Sequence, residues 1–99
     1  MAFERIYQVD WTEEALREVG DAAAYIARDS VLYADALVEA AIAAAETLTH
    51  SPLRGRVVPE FEGGVREIFV KSYRLIYEIS GNTVSIRAFI HGARNFPIQ

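Results

Sequence analysis

Five residues in the second half of this 99-residue chain could act on a phosphodiester: Glu60, Arg66, Arg74, His91 and Arg94. Cleavage of RNA without a metal needs a base for the 2′-hydroxyl proton, an acid for the leaving oxygen, and cations for the charge that develops on the phosphorus oxygens. Glu60 or His91 could take the first two roles and the arginines the third. The same residues fit a quieter reading. Arg66 or Arg74 can pair with Glu67 or Glu78 across strands, and His91 can end a strand by hydrogen-bonding backbone. His50 sits beside Ser51-Pro52 at a helix end, where histidine commonly satisfies terminal carbonyls.

Other chemistries have no residues to carry them. There is no cysteine, so disulfides, thiolate catalysis and Cys-ligated zinc are excluded. There is no Gly-Lys-Ser/Thr loop, no HExxH and no GxSxG, and the two histidines have few acids near them in sequence; no metal or cofactor is expected. No run approaches the length that crosses a bilayer, and MAFERIYQVDW carries charges where a signal peptide needs an apolar segment. The expectation is a soluble cytoplasmic protein with no membrane partner.

The net charge of −4 argues against a general nucleic-acid binder. It is unevenly spread: residues 1–50 hold three arginines against ten acids, a net of −7, and residues 51–99 hold seven Lys or Arg against four acids, a net of +3. Every candidate cation therefore lies in the basic half.

The elements that must position those cations follow from periodicity. Ninety-nine residues suit one domain, 1–99, with two packed layers. Residues 3–10, FERIYQVD, alternate as a partly buried strand. Thr12 offers an N-cap and Glu13 and Glu14 suit a first turn, so a helix is predicted over 13–28 with an apolar stripe of Ala15, Val19, Ala22 and Ile26. Ser30 caps a second helix through residue 49, with Ala34, Leu37, Ala41, Ala44 and Leu48 in a three-four rhythm closed by Pro52. The short link makes these an antiparallel hairpin. Residues 50–64, HSPLRGRVVPEFEGG, read as a loop. VREIFV, YRLIYEI and TVSIRAFI then read as three strands joined at Lys71-Ser72 and Gly81-Asn82. The sum is an α+β domain of order βααβββ, a helical hairpin packed on an antiparallel sheet.

Strand parity decides whether Arg66 and Arg74 can act together. A two-residue loop at Lys71-Ser72 sets Val70 opposite Tyr73 and Phe69 opposite Arg74, leaving Arg66 and Arg74 on opposite faces. A three-residue loop would put both on one face. Both registers remain open at this level.

In order and spacing, DWTEEALREV, YIARDS, LTHSPLRGRVVPEFEGGVRE, YRLIYEI and FIHGAR resemble the RelE/ParE superfamily of toxins from type II toxin-antitoxin modules, often called plasmid stabilisation proteins. The resemblance implies a growth-inhibiting βααβββ domain neutralised by a cognate antitoxin, in a toxin-antitoxin hetero-oligomer. RelE-like members cleave messenger RNA in the ribosome; ParE-like members poison DNA gyrase with no known catalytic act. For the first, Arg74 and Arg94 stand where RelE-like enzymes place arginines, and Glu60 and His91 resemble an acid-base pair of a related nuclease branch. Against it, Val65, Arg66, Glu67 and Ile68 occupy a strand where RelE-like enzymes carry lysines, and only NFPIQ follows Arg94, without a tyrosine. With the acidic net charge, this favours the ParE-like branch, in which Arg66, Arg74, His91 and Arg94 form a recognition patch. The alternatives are a metal-independent endoribonuclease acting on ribosome-bound message, and a non-toxic protein that only binds its antitoxin.

Overall fold

The structure is a computed structural model and describes residues 6–93. Strand β1 (Gln8–Trp11) leads into helix α1 (Glu13–Ala27) and helix α2 (Val31–Glu46). A two-residue strand β2 (Arg56–Val57) follows, then β3 (Arg66–Val70), β4 (Tyr73–Ser80) and β5 (Thr83–His91). The strands form one sheet in the order β1-β5-β4-β3-β2, with the helical hairpin against one side.

Thr12 and Ser30 cap the helices as their residue types require. Thr12 Oγ1 accepts from the Ala15 N–H at 3.1 Å and donates to the Ile86 carbonyl at 2.9 Å, so one side chain starts α1 and ties it to β5. Ser30 Oγ accepts from the Tyr33 N–H at 3.1 Å. α2 stops at Glu46 rather than at 49. The Thr47 and Thr49 hydroxyls donate to the Ala44 and Glu46 carbonyls, and the chain tightens into a 3₁₀ turn over Thr47–Thr49.

The apolar stripes meet the sheet. Ala15, Val19 and Ala22 of α1 and Leu37, Ala41 and Ala45 of α2 pack with Leu48 against Ile68, Val70, Leu75, Tyr77, Val84, Ile86 and Phe89. Burying each large side chain of this set contributes about 1.5–3 kcal/mol. Alanines at the helix contacts let both helices sit close to the strands.

Two expectations are corrected. The sheet is mixed, because β1 runs parallel to β5, from Gln8 beside Thr83 to Trp11 beside Ile86. Tight turns dictate the direction only of the strands they join, and the partner of β1 lies at the other end of the chain. The 50–64 segment also supplies β2, which pairs Arg56 with Glu67 and Val57 with Arg66. A two-residue strand between glycine and proline turns leaves no period to read.

A bulge interrupts the β4–β5 ladder. Ile76 pairs with Ala88 and Tyr77 with Ile86, leaving Arg87 as the extra residue. It allows Ile86 and Phe89, an odd number of positions apart, both to face the helices. Arg87 is turned to the other side, where its Nη1 bonds the Glu78 carboxylate.

Candidate recognition surface

The hairpin register takes the two-residue form. Val70 lies opposite Tyr73 and Phe69 opposite Arg74, so Arg66 and Arg74 project from opposite faces. Closing this loop places Lys71 at φ +55, the only positive φ outside glycine among the described residues. The left-handed region costs a residue with a Cβ roughly 1–2 kcal/mol.

Arg74 is buried on the face away from the helices. Its Nε donates to Glu67 Oε1 at 2.6 Å, and its side chain is 10% exposed. The other oxygen, Glu67 Oε2, accepts from Arg56 Nε at 2.6 Å. The Glu67 side chain is 0% exposed, so one buried carboxylate holds two guanidinium groups. The Arg56 side chain is 68% exposed, with its Cζ 5.6 Å from the centroid of the Phe69 ring, itself half in solvent. Of the two guanidinium groups on this carboxylate, Arg56 is the one that faces solvent.

Arg66, on the opposite face, is engaged by backbone. Its Nη1 donates to the Gly55 carbonyl at 2.7 Å and reaches the Leu53 carbonyl at 3.4 Å. The same loop is anchored from inside by Tyr77, whose hydroxyl donates to the Pro52 carbonyl at 2.6 Å and accepts from the Gly55 N–H at 3.0 Å. Burial pushes the Tyr77 phenol above its ordinary range, against smaller opposing effects of the Gly55 N–H and the Arg66 and Arg54 charges. Gly55 is required by space: a Cβ there would lie 2.5 Å from the Tyr77 hydroxyl and 2.7 Å from the Glu67 carbonyl oxygen.

His91 closes β5 opposite Tyr73, edge-on to its ring at 5.3 Å between centroids. Nδ1 accepts from the Ala93 N–H at 3.2 Å, and the residue is exposed. The residue borders a hollow of about 220 Å³ whose α1 wall carries Glu18 and Asp21. The Glu18 carboxylate accepts from the Phe89 N–H at 2.8 Å, on the edge of β5 that β1 is too short to cover. Glu60 is exposed in the turn region before β3. Arg94 lies outside the described residues.

The candidates do not gather into one centre. Arg66 is level with Tyr77 and His91 with Tyr73, so they stand about 13 Å apart along the strands and about 10 Å across them. Arg74 points to the other face. Sequence reasoning passed over Arg56, hidden in a loop reading, and Phe69, an aromatic on the outer side of a strand. Its available signal was the alternation in VREIFV, which sets Glu67 and Phe69 together.

Residues 9–96 match the family described as ParE toxin of the type II toxin-antitoxin system, parDE. The chain belongs to the ParE toxin family. All five candidates, Glu60, Arg66, Arg74, His91 and Arg94, fall inside the matched span. Among solved structures, this ParE-family chain is similar to the chromosomal ParDE toxin-antitoxin system from P. aeruginosa, at 16% identity and a TM-score of 0.73 over 88% of this chain and 97% of that one. It is also similar to the toxin-antitoxin complex RelBE2 from Mycobacterium tuberculosis, at 27% identity and a TM-score of 0.60 over 87% and 98%. No curated protein matches. The protein is thus a toxin of a type II toxin-antitoxin system in the RelE/ParE superfamily, with two helices on a five-stranded mixed sheet.

Proposed function

We propose that this toxin stops growth by binding a macromolecular target of the DNA gyrase class in the cytoplasm, without cutting RNA, and that a cognate antitoxin holds it inactive. The observation that carries this reading is the dispersal of the nuclease candidates. Arg66 and Arg74 leave opposite faces of the sheet, and the Arg74 guanidinium is already neutralised by Glu67. Phosphodiester cleavage needs base, acid and cations converging on one phosphate to within hydrogen-bond reach. Binding makes no such demand: Arg66, Arg74, His91 and Arg94 then serve as recognition groups and as supports for them. The absence of lysine from the 65–68 strand and the net charge of −4 support the same choice. The antitoxin partner is supported by the two structural neighbours, both from toxin-antitoxin systems.

Two assays on purified protein test the reading. Gyrase-driven supercoiling of a relaxed plasmid should be inhibited, and messages in a reconstituted translation reaction should stay whole. Site-specific cleavage of ribosome-bound message, with supercoiling untouched, would replace it with the endoribonuclease reading, in which Glu60 or His91 is the base and the arginines stabilise charge.

A further inference from the structure

Five arginines lie between Arg54 and Arg87, and Arg56 is the one held by a buried group yet open at its tip. Arg54 donates to the Thr47 hydroxyl, Arg66 to two carbonyls, Arg87 to Glu78, and Arg74 to Glu67. Arg56 gives only its Nε to Glu67, and its two terminal nitrogens have no partner among the described residues. The geometry points to Arg56, backed by Glu67 and flanked by the Phe69 ring, as the group that takes a carboxylate from the antitoxin, in an acidic segment carrying an apolar side chain beside the acid. This inference rests on the antitoxin reading above.

The chemistry selects that partner. The Nε bond and the ring contact restrict the Arg56 side chain before anything binds, so less conformational freedom is lost on association. The fork of free nitrogens matches a carboxylate in two-point contact. Phe69 is 57% exposed beside it and offers apolar area to the neighbouring side chain; arginine next to an aromatic ring is the composition of interface hot spots. A nucleic acid fits less well, because affinity for it grows with the number of phosphates neutralised. This patch offers one exposed guanidinium, Arg56, on a chain of net −4.

The test uses the full-length toxin and the protein encoded by the adjacent gene, with affinity measured by titration calorimetry. Arg56→Ala and Phe69→Ala should each weaken the complex roughly 10- to 100-fold, and Arg56→Lys should fall between, keeping the charge but losing the fork. The Arg56→Ala loss should shrink in high salt. Phe69→Ala covers the case in which Arg56→Ala disturbs folding. Unchanged affinity for both folded variants overturns the inference and leaves the antitoxin reading standing. Failure of the wild-type pair to associate removes that reading, and the inference with it. A 20-nucleotide single-stranded RNA bound by the wild type and lost in Arg56→Ala would assign the surface to nucleic acid instead.

Discussion

The β2 end of the sheet and the free end of β5 both carry groups that a charge count would offer to a partner, yet they treat them differently. At the β2 end the protein's own acceptors have claimed the cations: Glu67 takes Arg74 and one nitrogen of Arg56, and backbone carbonyls take Arg66. At the end of β5, His91 accepts a neighbouring N–H through Nδ1 and stacks edge-on against Tyr73, with acids of α1 nearby. A formal charge becomes a recognition group only where the fold has not already answered it. Arg74, in YRLIYEI, is almost closed to solvent; Arg56, in the segment before β3, has the free tip.

The sharpest way to break this contrast is to remove the shared carboxylate. Glu67→Gln removes the carboxylate charge that both guanidinium groups bond, one of them buried, and should cost about 3–5 kcal/mol in urea unfolding. A loss below about 1 kcal/mol would mean that the region is not held as described. Arg56, at 68% side-chain exposure, should matter far less: Arg56→Ala should cost no more than about 1 kcal/mol, because solvent screens exposed pairs. The stability order Glu67 above Arg74 above Arg56 is the quantitative form of the comparison.

Tyr77→Phe sharpens it from the interior. The variant leaves the Pro52 carbonyl and Gly55 N–H without their partner and should cost about 1–3 kcal/mol at neutral pH. The pH dependence has a definite sign. Burial raises the folded-state pKa of the phenol above its unfolded value, so its contribution is complete below the unfolded pKa and is lost as pH climbs through the folded one. Wild type should therefore lose stability above about pH 10, and Tyr77→Phe should lose less over that window; parallel curves would contradict it. The smallest effect is at the turn. Lys71→Gly should stabilise by about 1 kcal/mol in thermal unfolding, since glycine accepts the positive φ that lysine holds there.

Much of this architecture was readable because its elements have long, clean periods. The 13–28 stripe of Ala15, Val19, Ala22 and Ile26 and the strand runs at 65–70, 73–79 and 83–90 lie within a few residues of α1, β3, β4 and β5. The parallel partner of β1 and the two-residue β2 left no such trace. The bulge at Arg87 was illegible for a related reason: strict alternation groups Ile86 with Ala88, whereas the ladder shifts to put Ile86 and Phe89 inward. The pairing of Arg74 with Glu67 was one of two readings the residues allowed, and only the register at Lys71-Ser72 could choose the face. Arg56 was missed because its meaning depends on a carboxylate eleven residues away across a strand pair.

Arg74→Ala, with unfolding free energy and growth arrest measured on the same protein, tests most directly whether the motif arginine is a support or a reacting group. With Glu67 still bonded to Arg56, the account predicts a stability loss of roughly 1.5–3 kcal/mol and gyrase inhibition that persists in the fraction still folded. A variant as stable as the wild type that has lost all toxicity would contradict it and point back to catalysis.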